Sequence, residues 1–296
     1  MFFGRSNQGR LWMTLLVFLA AGSVLLSQTN VFNEITALAE AGDAQSQFTL
    51  GEIYAKGQGA KQDFEKAEMW YRKAAEQDLG LAQFFLAALH DTGPETLKDY
   101  DEAMRWYRKA ADKGMAQAQC ALAVMYEEGR GVSTNKPAAA LWYQKAADKG
   151  LAEAQYHLGL IYGAKGAATQ DYKEAAKWFS KAANQGHGWA QFRLGGLYYD
   201  GLGVMQDYVV AAQWYRKAAE RGLSEACFNL GLMSGYGQGM KQDYQEAYKW
   251  FTVAMWAGNE MAEANRDVLV PEMKPEQIIT ARKKALEFAE LIRIKR

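Results

Sequence analysis

The chain has 296 residues, with 34 basic and 34 acidic side chains and a formal net charge of zero. Because 49% of the residues are apolar, the chain can bury a sizeable core, which argues against general disorder. The neutral balance argues against a nucleic-acid-binding protein, which needs a surplus of Lys and Arg to meet phosphates. The two cysteines exclude a disulfide-stapled scaffold and a multi-cysteine zinc module.

The N-terminal segment has the layout of a secretory signal. Arg5 and Arg10 lie in a basic n-region, 1–10, and an uncharged apolar core follows over residues 11–26. We interpret 11–27 as an uncleaved signal-anchor, although the core is slightly short for a comfortable span of about 20 residues. A cleaved signal peptide stays open as the alternative. The positive-inside rule leaves 1–10 in the cytoplasm and exports the rest to the periplasm, either anchored in the inner membrane or released.

A period of 36 residues runs through positions 43–258. A tryptophan recurs six times at this interval, each time followed by Tyr or Phe, and columns of Leu, Gly or Ala, and Gln keep the same phase. Six copies without an insertion or deletion predict one repeated supersecondary unit. The tryptophans, which we assign to the scaffold core, are Trp70, Trp106, Trp142, Trp178, Trp214 and Trp250.

Each unit is predicted to be a pair of helices joined by a glycine-containing loop. In the first helix Leu50, Gly51 and Tyr54 share one face. A glycine in mid-helix costs about 0.5–1 kcal/mol, so this column predicts the close approach of another helix backbone. The second helix begins at an Asp or Asn cap and ends at a glycine in every copy but the first. Three caps have Glu three residues later, the spacing of a capping box: Asp99, Asp171 and Asp243.

One helix pair cannot bury its own apolar faces, so neighbouring pairs must stack. The sequence therefore predicts an all-α fold, a right-handed α/α solenoid of six 36-residue helix-turn-helix repeats with capping helices at both ends. Residues 31–42 are expected to form an N-terminal capping half-repeat, and residues 259–296 the C-terminal capping helices. The last of these helices is predicted to begin at Pro275 and to cover the sixth repeat with side chains that include Ile279 and Ala285.

The repeated unit resembles the Sel-like repeat (SLR) family, which is related to tetratricopeptide repeats. The resemblance extends over most of the chain and departs from the family pattern at His90 in the second repeat and at Cys227 in the sixth. The resemblance implies a non-enzymatic adaptor or scaffold. Exported bacterial members of the family look like regulators or assembly factors of cell-envelope processes. The cleanest copy is the fifth, with Ala190, Gln191, Leu194, Gly195, Tyr198, Gly201, Gly203, Asp207, Tyr208, Ala211, Trp214, Tyr215, Ala218, Ala219 and Gly222.

The sequence predicts no enzyme, metal site or cofactor. His90, His157 and His187 fall in different repeats and lack the i, i+4 pairing of a helical zinc site. Cys120 and Cys227 lie three repeats apart, beyond disulfide reach, and are interpreted as small buried apolar residues. The carboxylates are assigned to helix caps and helix surfaces.

The analogy with tetratricopeptide repeats places the first helices on a concave face. There the column of positions 48, 84, 120, 156, 192 and 228 is aromatic in all but one repeat, and bulky non-repeating residues join it in the last two repeats. Acidic residues lie alongside, and Lys56 is the one clear basic residue expected. The alternative for this aromatic column is a scaffold role, packing between adjacent first helices. The predicted partner-binding residues are Phe84, Tyr156, Trp189, Phe192, Tyr199, Asp200, Phe228 and Tyr236.

These patterns predict a protein–protein interaction scaffold of the cell envelope that binds a partner polypeptide through an aromatic and acidic concave face. An extended or helical peptide with apolar anchors and some Lys or Arg would suit such a face. The alternative is an assembly or regulatory factor that binds envelope polysaccharide or peptidoglycan, since aromatic platforms beside carboxylates also suit sugars. The membrane is the second expected partner, through residues 11–26.

Overall fold

A computed structural model describes residues 26–166 and 170–293, where the chain is helical and contains no β-strand. The predicted n-region and the predicted signal segment up to residue 25 lie outside the described residues. None of the described helices is both long enough and apolar enough to cross a membrane. The helices are α1 (Leu26–Glu40), α2 (Ala44–Lys56), α3 (Phe64–Glu76), α4 (Gly80–Thr92), α5 (Tyr100–Asp112), α6 (Ala116–Glu128), α7 (Lys136–Asp148), α8 (Ala152–Gly163), α9 (Tyr172–Asn184), α10 (Gly188–Asp200), α11 (Tyr208–Ala219), α12 (Ser224–Tyr236), α13 (Tyr244–Trp256), α14 (Ala262–Asp267) and α15 (Pro275–Leu291).

The chain divides into two compact units, residues 1–110 and residues 111–296, and the division falls inside α5. In the first unit α2 packs against α3, and in the second unit the packed pairs are α6 with α7, α8 with α9, α10 with α11, and α12 with α13. These are the predicted pairs of first and second helices.

The second helix of every repeat begins at its predicted cap, where the Asp or Asn side chain accepts a bond from a backbone N–H two or three residues later. The capping-box prediction needs a correction. The cap's own N–H donates to a carbonyl near the end of the first helix, over 3.0 Å from Asp99 to His90 and 2.7 Å from Asp171 to Tyr162. This bond recurs in all six repeats and closes the loop between the paired helices.

The glycines that follow the second helices adopt the left-handed backbone conformation that their position predicts. Their φ angles lie between 85° and 92°, and Asp78 takes the same place in the first repeat with φ 67°. The glycines are Gly114, Gly150, Gly186, Gly222 and Gly258.

The small residue in the middle of the first helix has a different main cause from the predicted one. A Cβ atom added to Gly51 would lie 2.6 Å from the ring of Tyr71, and one added to Gly159 would lie 2.5 Å from the ring of Phe179. The nearest neighbour is therefore the aromatic ring that follows the tryptophan in the same repeat. At Gly195 the backbone oxygen of Ala211 on the second helix would also lie 3.3 Å from the added Cβ, so the predicted approach of a helix backbone contributes there. The small residue of the first helix and the ring that follows the tryptophan on the second helix therefore pack against each other.

Five of the six repeated tryptophans are buried, and Trp214 is half-buried. A lysine three residues later covers the ring in the first five repeats: Nζ of Lys73 lies 4.1 Å from the Trp70 centroid, and the next four distances are 4.0, 3.9, 3.8 and 4.1 Å. In the sixth repeat Lys249 covers Trp250 from the preceding position, at 3.9 Å. A cation over an indole face stabilises an exposed site by about 0.5–1 kcal/mol.

The two ends of the repeat array are covered by further helices. Helix α1 packs apolar side chains, Phe32 among them, against a cluster that contains Trp70. At the other end Phe288 of α15 meets Trp250 edge-on, with ring centroids 4.9 Å apart. The predicted contribution of Ile279 was wrong, since its side chain is 68% exposed.

Candidate functional site

Each member of the predicted aromatic column packs against the ring 23 positions later, on the second helix of its own repeat. The centroid distances are 5.7, 5.6, 5.9, 5.6 and 5.5 Å for the pairs Phe48–Tyr71, Phe84–Tyr107, Tyr156–Phe179, Phe192–Tyr215 and Phe228–Phe251. The column therefore has a scaffold role in every repeat that carries it. It packs on the second helix of its own repeat, and Phe48 also meets Phe85 of the next first helix, with ring centroids 5.4 Å apart. Four of its members stay half-buried, namely Phe84, Tyr156, Phe192 and Phe228.

In the second unit, α10 presents one continuous row of accessible positions. Trp189, Arg193, Gly196 and Asp200 follow at intervals of four, three and four residues, which places them on one helix face. We call these four residues the α10 stripe. Trp189 is 42% exposed, and its ring meets Phe192 edge-on at 5.9 Å.

The end of α10 is tied to the loop that follows α12. The Tyr199 hydroxyl donates to Oε1 of Gln238 over 2.9 Å, and the Tyr199 ring lies edge-on to Tyr208 at 5.1 Å. On α12, Tyr236 is 74% exposed. The C-terminal end of α10 is therefore linked to the loop after α12, and Trp189 and Tyr236 are the accessible rings of the two helices, whereas Tyr199 is half-buried.

The start of α10 is tied to α8 through a histidine. His187 accepts the Ala190 N–H as the cap of α10, and its ring stacks on Tyr156 with centroids 4.6 Å apart. Burial raises the pKa of Tyr156, while the positive charge of the neighbouring Arg193 guanidinium opposes that rise. Tyr156 is thus joined to the α10 stripe through Arg193.

Glu153 of α8 lies between two histidines. Its carboxylate is 3.6 Å from Nε2 of His157 and 3.2 Å from Nε2 of His187. The two rings, His157 as an ion-pair partner and His187 through a hydrogen bond, hold the pKa of Glu153 well below its usual range. His187 therefore links the start of α10 to α8, whereas the contact of His157 with Glu153 lies within α8.

The predicted acidic rim needs a correction, because several of its carboxylates are engaged inside the chain. Lys56 pairs with Glu52 at 2.7 Å, and the Tyr143 hydroxyl donates to Glu127 over 2.6 Å. Asp200, the last residue of α10, is exposed. The negative charge of the α10 stripe is thus that of Asp200.

Phe84, the remaining predicted site residue, belongs to the first unit. It is half-buried between Phe85 and Tyr107, with centroids 5.4 and 5.6 Å away. The structure therefore gives Phe84 a packing role, and the residues brought together in one surface are those of the second unit.

The prediction that Lys56 is the one clear basic residue of this face was wrong, because Arg193 lies within it. Arg193 stands one position after the aromatic column. The equivalent residue of the fourth repeat, His157, also contacts an aromatic side chain, because its ring stacks on the Tyr143 ring of α7 with centroids 4.5 Å apart. The signal was available in the sequence as a column without a common residue. That column is Thr49, Phe85, Ala121, His157, Arg193 and Asn229.

The described residues show no group of three or more His, Cys, Asp or Glu side chains that could hold a metal ion. Both cysteines are buried free thiols, as predicted. Burial raises the pKa of Cys120 and of Cys227 to about 12, so neither folded thiol is a nucleophile near neutral pH.

The repeats match known proteins in sequence and in structure. The structure of a protective antigen from uropathogenic Escherichia coli with an SLR fold is similar, with a TM-score of 0.82, 35% identity, and coverage of 90% of this chain and 57% of that one. A Sel1 repeat protein from Oxalobacter formigenes has a TM-score of 0.71, 33% identity, and coverage of 79% of this chain and 68% of that one. This chain thus spans little more than half of the E. coli protein. No curated protein matches it.

The family match covers nearly all of the repeated region. The Sel1 repeat pattern matches residues 44–79, 80–115, 116–151, 152–187, 190–223 and 224–254. Together with the two similar structures, this match confirms the predicted all-α solenoid of six repeats. The chain belongs to the Sel1 repeat family.

Proposed function

We propose that this protein is an interaction scaffold of the cell envelope and binds a partner polypeptide through the α10 stripe and the adjoining surface of α12. Proteins built from such repeats generally bind other proteins and are typically non-catalytic. The observation that carries the proposal is the exposure of Trp189 and Tyr236 at positions where the other repeats hold Gln, Leu, Glu, Lys, Thr, Ala or Asp and no aromatic residue. Exposed large aromatic side chains are enriched at binding hot spots.

The test is site-specific photocrosslinking of the full chain in intact cells. A photoreactive residue is placed at Trp189 or Tyr236, and matched controls carry it at Leu141 and Val209, which are exposed on the second helices α7 and α11. We expect the two test positions to give a shared protein adduct that the controls lack. Adducts at the test positions that are no stronger than those at the control positions contradict the proposal. An adduct that is removed by glycan-degrading enzymes but not by proteases also contradicts it, because the crosslinked partner is then a glycan.

The envelope location is a second part of the proposal, and it rests on the apolar run of residues 11–26 behind Arg5 and Arg10. The test is a pair of reporters fused after about residue 40, one active only in the periplasm and one only in the cytoplasm. Activity of the periplasmic reporter supports export. Activity of the cytoplasmic reporter alone overturns it, without bearing on the binding surface.

A further inference from the structure

Gly196 stands in the middle of α10, directly after a glycine that packing requires. A Cβ atom at Gly195 would lie 2.9 Å from the Tyr215 ring, whereas one at Gly196 would meet only the Tyr215 hydroxyl, at the ordinary contact distance of 3.6 Å. A glycine inside a helix costs about 0.5–1 kcal/mol relative to alanine. Packing among the described residues therefore does not account for Gly196.

The equivalent position holds a side chain in the other five repeats. A second glycine without a steric requirement, Gly235, lies beside the exposed Tyr236 on α12, where its Cβ would meet only the Ala247 Cβ at 3.7 Å. Each of the two helices that carry the accessible rings therefore has a position, Gly196 on α10 and Gly235 on α12, where no side chain covers the helix backbone. The residues equivalent to Gly196 are Glu52, Ala88, Val124, Leu160 and Leu232.

Opposite charges flank this bare stretch of helix. Arg193 precedes Gly196 by three residues and Asp200 follows it by four, and both side chains are exposed. Seven residues of α-helix span about 10.5 Å. A polyproline II segment has three residues per turn and rises about 3.1 Å per residue, so its residues i and i+3 point to the same side about 9.3 Å apart. The spacing of Arg193 and Asp200 along the α10 axis is therefore close to that of two residues three positions apart on such a segment.

We propose that the α10 stripe binds a proline-rich segment of a partner protein in the polyproline II conformation. An acidic residue of the segment pairs with Arg193, and a basic residue three positions away pairs with Asp200. The prolines between them lie over Gly196, while the rings of Trp189 and Tyr236 provide the aromatic surface on which such segments dock. The inference rests on the proposed function and specifies the class of partner.

The Arg193 guanidinium can serve this role while it contacts Tyr156. It has five N–H donors in a planar fork, so donors are left for a carboxylate. A charge-assisted contact of this kind adds geometric selection as well as affinity.

The test measures binding of a fluorescent polyproline peptide that carries one aspartate and, three residues later, one lysine, by anisotropy with the purified full chain. We expect saturable binding. Affinity is expected to be about tenfold weaker when the two charges stand four residues apart. An alanine-based helical peptide with the charges seven residues apart serves as the rival occupant and is expected to bind as weakly.

Two variants of the chain sharpen the test. Gly196→Ala has room for its methyl group, so we expect it to unfold at higher urea and yet to bind the peptide about tenfold more weakly. Asp200→Arg is expected to lose the aspartate–lysine peptide and to prefer a peptide with two aspartates. Leu141→Ala, on the exposed surface of α7, is the control and should bind like wild type.

Equal binding of all peptides, stronger binding of the helical peptide, or full binding by Gly196→Ala overturns the inference. If the crosslinks from Trp189 and Tyr236 persist in cells under any of these outcomes, the proposed function stands and only the partner class is wrong. If the crosslinks are absent while the proline peptide binds as expected, the proposed function fails in the cell and the chemistry of the stripe stands.

Discussion

Replacing Gly231 with alanine tests the finding that the ring column dictates the small-residue column. A Cβ at this position would lie 2.6 Å from two ring atoms of Phe251, and the Phe251 ring is buried and packed against Phe228 at 5.5 Å. The ring would have to move by roughly 1 Å to restore van der Waals contact, against neighbours at crystal-like density.

The magnitude follows from two opposing contributions. Overpacking a core costs about 1–3 kcal/mol, while replacing glycine by alanine in a helix returns about 0.5–1 kcal/mol. The net effect on the free energy of opening of α12 is a loss of about 0.5–2 kcal/mol. This corresponds to a rise of about twofold to thirtyfold in the population of the open state.

Cys227 makes the effect measurable, because it lies on the same helix four residues earlier and is fully buried. Its reaction rate with a thiol reagent near pH 7.5, measured on the purified full chain in native buffer, follows the open population when closing outpaces labelling. Cys120, on α6, is the internal control, since in a solenoid each repeat contacts only its neighbours. We expect Cys227 to react faster and Cys120 to keep its wild-type rate.

An unchanged or slower reaction of Cys227 in Gly231→Ala refutes the packing argument. An equal acceleration of both thiols contradicts the local character of the effect. The double variant Gly231→Ala with Phe251→Leu separates strain from other causes. The smaller side chain makes room for the methyl group, so Phe251→Leu is expected to cost less in the Gly231→Ala background than in wild type.

Three further outcomes are expected from urea unfolding of the full chain. Trp178→Ala should lower the free energy of unfolding by about 3–5 kcal/mol, because the ring is buried, and a loss below about 1 kcal/mol would contradict its core role. The thiols of Cys120 and Cys227 have folded pKa values of about 12 and unfolded values of about 8.5, so the native state keeps protons that the unfolded state loses. Stability should therefore fall above about pH 8.5, by about 1.4 kcal/mol per pH unit for each thiol, and the double alanine variant should show a flatter profile. Burial works against ionisation of Glu102, yet hydrogen bonds from Arg72 and from Trp106 lower its pKa to about 2. The contribution of Glu102 to the free energy of unfolding should therefore be fully present above about pH 4.3 and disappear as the pH falls through 2. Glu102→Gln should remove this acid dependence.

The helices, caps and terminal glycines could be predicted because they depend on short-range chemistry. An Asp side chain caps an N–H three residues away, and a left-handed turn selects glycine, as at Asp207 and Gly222. Because these signals recur at 36-residue intervals through the six repeats, the sequence alone indicates both the family resemblance and the fold class.

Which atoms pack between the helices could not be predicted from these short-range patterns. The sequence showed that Gly51 faces something close, but a backbone and a Tyr71 ring leave the same requirement for a small residue. Likewise, periodicity placed Ile279 on a buried face, although its exposure depends on the rotation of α15 against α13. The place of Arg193 in this surface could not be predicted, because its column holds a different residue in every repeat and therefore shows no pattern.

The hydrogen bond from each cap N–H to a first-helix carbonyl has a consequence for how such arrays diversify. It joins residues nine apart, and it is present both where the loop contains Pro94 and where it contains Gly57 and Gly59. The bond fixes the two ends of the loop, so the residues between them can change in composition without altering how the helices pair. Sequence variation can therefore accumulate in these loops at little cost in stability, and they are suitable places to graft peptides or tags into this protein.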